Sequence, residues 1–136
     1  EYKNAKNFYD LGCGYGALAC RVKKKFPNLC VYAVDNNSMR LFFAKIRAFI
    51  FRQNVKFLQE DIFSANLSNA DIVYAYLWYD IMPSLEKKLQ TELKQGAIVI
   101  TNTSNFPIWK PIQKIVTCPK ISKTPDFETL FVYQKT

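Results

Sequence analysis

The sequence predicts a Rossmann-like α/β domain: a mostly parallel sheet with an antiparallel C-terminal strand and helices on both faces. Three observations predict it. The apolar run Phe8-Tyr9-Asp10-Leu11 enters a turn with glycine at every second position, Gly12, Gly14 and Gly16. Short apolar runs then alternate with segments of helical spacing. Near the C-terminus, two strand-like runs follow each other with no helix between them.

The first strand is expected over 7–11 and the first helix over 15–26, stopped by Pro27. Lys23-Lys24-Lys25 closes that helix, where cations suit its C-terminal dipole. The second strand spans 30–35. The second helix, 38–53, has Ser38 near its start and is expected to bury Met39, Phe42, Phe43, Ile46, Phe49 and Ile50. Strand three covers 55–60 and leads into a loop through 64–67. Strand four covers 71–75. The helix over 82–94 places Met82, Leu85, Leu89 and Leu93 on one face, with Gly96 as its C-terminal glycine. Strand five runs from Ala97 to Thr101. Gln113 to Thr117 and Thr129 to Gln134 close the chain as an antiparallel pair, joined by a loop with Pro119, Pro125 and Asp126.

The 136 residues make a single domain, 1–136, large enough for a core of its own. No segment approaches the roughly 20 apolar residues of a membrane span. The start of the chain is polar, with no signal-like run. Histidine is absent, which removes Ser-His and Cys-His mechanisms and most zinc and iron sites. Chemistry must therefore rest on a cofactor, a carboxylate, Tyr or Lys. Cys13, Cys20, Cys30 and Cys118 show no metal or redox spacing; the last three read as small buried apolar residues, and a reducing, cytoplasmic setting fits. Net charge is +8, with Arg40, Lys45, Arg47 and Arg52 spread along the second helix. A solvated helix face is the first reading. Nucleic-acid binding and attraction to an anionic membrane stay open, without an RNA-binding module to favour the former.

Glycine at Gly12 and Gly14 lets the backbone approach a ligand, and Gly16 lets the next helix pack closely. Gly12-x-Gly14-x-x-Ala17 also satisfies the dinucleotide pattern, so carboxylates must decide. Asp10, at the end of strand one, repels a pyrophosphate and suits a ligand bearing an ammonium and a sulfonium. That describes S-adenosylmethionine (SAM) better than NAD. Asp35, with Asn36 beside it, ends strand two about twenty residues after the glycines, where a carboxylate accepts both ribose hydroxyls. Asp61 ends strand three, placed to accept from the adenine amine, with Ile62 to cover the ring. A lone Asp reads first as a cap or turn residue. Three at successive strand ends read as a cofactor site.

Together these motifs resemble the class I SAM-dependent methyltransferases. The segment from Tyr76-Leu77-Trp78-Tyr79-Asp80 through Lys88-Leu89, Glu92-Leu93 and Gly96 to Trp109-Lys110-Pro111 narrows the likeness. It resembles the ATP synthase c-subunit lysine methyltransferase family and its bacterial homologues. The resemblance implies a protein-lysine acceptor, in a small membrane protein, with Leu77 among the cofactor contacts. It also implies an upstream Pro/Thr segment and a membrane-anchoring stretch, which this chain lacks, so an N-terminal portion is expected to be missing. Tyr15 stands where the family usually has an acid, and the family's Pro near Trp78-Tyr79 is absent.

Strand four is central, so Tyr76, Trp78 and Tyr79 are placed to line an acceptor channel as well as to pack at its rim. Asp80 either orients the ammonium or caps the following helix. Tyr76, Tyr79 and Asp80 are the candidate catalytic, substrate-positioning residues. An RNA or small-molecule methyltransferase, or a silent SAM-binding domain, are the competing readings.

Overall fold

Strand β1 (Asn7–Leu11) lies between β2 (Cys30–Asp35) and β4 (Ile72–Ala75), parallel to both, in a computed structural model that describes residues 4–117 and 129–136. Adding β3 (Val55–Gln59), β5 (Ile98–Asn102), β6 (Gln113–Val116) and β7 (Thr129–Gln134) gives a seven-stranded sheet of order β3-β2-β1-β4-β5-β7-β6. Strands β1 to β5 are parallel; β7 pairs antiparallel with both β5 and β6. The loop with Pro119, Pro125 and Asp126 lies outside the described residues, as does Cys118.

Alternation along the strands splits the core in two. Phe8, Val31 and Ala33 face helices α1 (Ala17–Lys25) and α2 (Ser38–Ile50). Tyr9, Leu11, Val34 and Val73 face α3 (Met82–Glu92), which buries Met82, Leu85 and Leu89 as its spacing predicts. The β3–β4 connection has no helix, and Ala65, Leu67 and Ala70 from that loop fill the core on the α3 side.

Three expectations need correction. The large apolar residues of α2 are exposed, because the helix turns Leu41, Ala44 and Ala48 inward. It starts at Ser38 as expected, capped by Asn37, whose side chain accepts from the Arg40 N–H at 3.0 Å. Cys30 is exposed, since β2 has only just entered the sheet there. Helix α3 ends at Glu92, so Gly96 belongs to the turn into β5, where its N–H donates to the Lys135 carbonyl at 2.8 Å.

Candidate active site

The first wall comes from the glycine turn after β1. Gly12 has φ +72°, and a Cβ there would stand 2.8 Å from the Leu77 side chain. Glycine therefore lets the turn meet the strand-four exit. A Cβ on Gly16 would lie 3.0 Å from that of Ala44, so this glycine admits α2 rather than relieving the strand. A Cβ on Gly14 would meet nothing within 4 Å, which leaves the space above the turn open.

Asp35 organises that turn. Its carboxylate is buried and accepts from the Gly14 N–H at 3.0 Å and the Asn37 N–H at 2.9 Å, with an Arg40 Nη 3.4 Å away. A carboxylate offers about four acceptor sites, so capacity for a ligand remains. Asp61 shapes the next turn, its Oδ1 accepting from the Phe63 N–H at 2.7 Å. Asp10 lies beneath the turn. Burial, and then the neighbouring Asp35 carboxylate, push its pKa up to about 7. The Cys13 thiol is pushed up to about 12, by burial first and then by Asp10 and Asp35, so it is no nucleophile at neutral pH.

A cavity of about 880 Å³ opens where the strand order reverses, between β1 and β4. Gly12, Asp35, Asn36, Asp61 and Ile62, from the exits of β1, β2 and β3, line it. Tyr76, Leu77, Trp78 and Tyr79, from the exit of β4, line it as well. The aromatic rings are exposed, Trp78 at 83%. Tyr79 is anchored, its hydroxyl donating to the Thr103 carbonyl at 2.8 Å, and Ser104 Oγ donates to the Leu77 carbonyl at 2.9 Å. These two bonds join the exits of β4 and β5 into one wall.

Of the expected site residues, Asp10, Gly14, Gly16 and Asp80 do not line the cavity. Asp10 and Gly16 are buried under it, and Gly14 contributes through its N–H to Asp35. Asp80 sits exposed inside a 3-10 turn, Tyr79–Ile81. It is not the cap of α3, whose N-cap is Ile81 without a side-chain bond. Sequence reasoning missed Arg40, Phe63, Ile81, Thr103 and Ser104. Arg40 had a signal, standing in the first turn of the helix that follows the carboxylate it pairs with. Thr103 had none: its φ of +66°, rare for a β-branched residue, comes from the tertiary setting.

The model of the ANTKMT methyltransferase domain matches residues 10–113. The chain belongs to that family. The methyltransferase is 28% identical over 109 residues to a protein-lysine N-methyltransferase of Saccharolobus islandicus (strain REY15A), covering 79% of this chain and 68% of that protein. It is 31% identical over 106 residues to the ATP synthase c-subunit lysine N-methyltransferase of Xenopus laevis, covering 75% of this chain but only 45% of that protein's length. Among solved structures, an RNA methyltransferase from Salinibacter ruber in complex with S-adenosyl-L-homocysteine (SAH) is similar in fold. The TM-score is 0.85, over 95% of this chain and 80% of that one, at 21% identity.

The expected class I methyltransferase fold is thus present, and SAM is the methyl donor. The site's residues fit that donor. Asp35 and Asp61, which line the cavity, would offer acceptors to ribose hydroxyls and to an exocyclic amine, and Ile62 and Leu77 would supply apolar walls. Arg40 Nε is buried without a partner among the described residues, leaving a donor in the cavity wall for a ligand oxygen.

Proposed function

We propose that the methyltransferase methylates the side-chain amine of a protein lysine. One observation carries the reading. A single cavity is lined both by the acidic strand ends and by the exposed rings of Tyr76, Trp78 and Tyr79. SAM supplies an electrophilic methyl carbon, so the chain needs to position a neutral amine rather than provide a strong base. Aromatic rings suit that task. Their faces pack on the aliphatic stem of lysine and attract its cation. Asp80, exposed next to Tyr79 but outside the cavity lining, would act on an approaching ammonium only through its charge.

The names of the archaeal and animal relatives support a protein-lysine acceptor. The likeness to the animal ATP synthase methyltransferases supports the finer reading, a lysine in a small membrane protein. The test incubates the full-length protein with labelled SAM and cell membranes, and then locates label by mass spectrometry. Label on a lysine is the expected result. Label confined to RNA or small molecules would overturn the acceptor and leave the donor in place.

A further inference from the structure

Helix α2 buries small residues and exposes large ones. Leu41, Ala44 and Ala48 face the sheet, while Met39, Phe42, Phe43, Ile46, Phe49 and Ile50 face out, Phe49 at 85% and Met39 at 69% exposure. At 3.6 residues per turn these six occupy an arc of about 120°. Lys45 borders the arc on one side and Arg47 on the other. The patch continues past the helix, with the Tyr15 ring 6.3 Å from Phe43 and Phe43 5.7 Å from Phe42. A contiguous apolar surface of this kind marks a contact site.

We propose that this face of α2 docks on an anionic lipid bilayer, with its apolar arc at the headgroup–acyl boundary and its bordering cations on lipid phosphates. Charge decides the occupant. From Leu11 to Gln59 there are nine Lys and Arg residues and one carboxylate, the buried Asp35. A second copy of the chain is a poor partner, because two-fold pairing would set Lys45 and Arg47 against the same cations. An anionic bilayer meets both the apolar arc and its charged borders. The first turn of α2 lines the cavity through Arg40, so docking would hold the cavity beside the lipid surface. The proposal rests on the surface of α2, and not on the identity of the methyl acceptor.

The test is co-sedimentation of the full-length protein with phosphatidylcholine vesicles, with and without phosphatidylglycerol. Two double variants are compared with it: Phe42→Ser with Phe49→Ser, and Lys45→Glu with Arg47→Glu. The native protein should prefer the anionic vesicles by on the order of tenfold, and high salt should erase that preference. Each double variant should bind at least about tenfold more weakly. Unchanged melting and SAH binding show that a variant is folded, and the charge-reversal pair keeps the test decisive if the Phe pair is not. Absence of binding to anionic vesicles, or native binding by both variants, overturns the proposal. So does a native dimer that the Phe variant dissociates, since a second copy would then own the face.

Discussion

Glu86 of α3, a buried carboxylate, accepts from the backbone N–H groups of Ile108 and Trp109 and so fastens that helix to the loop leaving β5. The same loop carries Thr103 and Ser104 into the cavity wall. It also seats Trp109 against Phe106 and Tyr133, with ring centroids 5.7 and 5.3 Å away.

Glu86→Ala should destabilise the domain by about 1–3 kcal/mol, the usual consequence of leaving buried donors without an acceptor. Glu86→Gln keeps an acceptor oxygen and should lose less. Thermal melting of the two variants checks this. An alanine variant that melts like the native protein would show that the carboxylate does not hold the loop.

Asp35→Ala should weaken SAH binding and lower stability together. The carboxylate lines the cavity and also accepts from Gly14 and Asn37. Each effect should be roughly 1–3 kcal/mol, as for hydrogen bonds to a charged group. Calorimetry with SAH and a denaturant titration separate them. Loss of stability with native affinity would make Asp35 a structural cap alone.

Asp10 gives the domain a pH dependence of definite sign. Between the ordinary carboxyl range and about 7, the unfolded chain has lost this proton while the folded chain keeps it. Asp10 therefore subtracts stability as pH rises across that window, and nothing further above it. Asp10→Asn should melt higher than the native protein at pH 8 and equally at pH 3. A bound cation favours the ionised carboxyl, so SAM affinity should rise through pH 7 in the native protein and less in the variant. Parallel pH profiles for the two proteins would remove Asp10 from the account.

Trp78→Ala should leave stability within about 0.5 kcal/mol, because the ring is 83% exposed. SAH affinity should also hold. The kcat/KM for a protein acceptor should fall by roughly 2- to 30-fold, the equivalent of about 0.5–2 kcal/mol of cation–π contact. An unchanged kcat/KM would remove the ring from the acceptor path.

The parallel sheet and the SAM-facing turn were legible in the sequence because they depend on local chemistry. Glycines fix the turn, and apolar runs ending in Asp35 and Asp61 mark strands whose tails meet at one edge. The burial of α2 was not legible. Its heavy residues have helical spacing, but so do Leu41, Ala44 and Ala48, and periodicity does not say which stripe turns inward. What decides is the close approach at Gly16, a contact between residues far apart in the chain. The exits of β4 and β5 were half legible: the aromatic residues announced themselves, whereas Thr103 and Ser104 owe their role to hydrogen bonds between two loops.

The contact between Gly16 and Ala44 makes a single methyl group the spacer between α2 and the rest of the domain. A methyl added at Gly16 would stand 3.0 Å from the Ala44 Cβ, so the helix would have to give by a few tenths of an ångström. The first turn of α2 would rise with it, carrying Arg40 away from Asp35. Ala44 does not line the cavity, yet it gauges how wide the cavity stands and how far the outward rings of Phe42 and Phe49 project. The depth of the ligand site and the height of the outer surface are thus two readings of one interatomic distance.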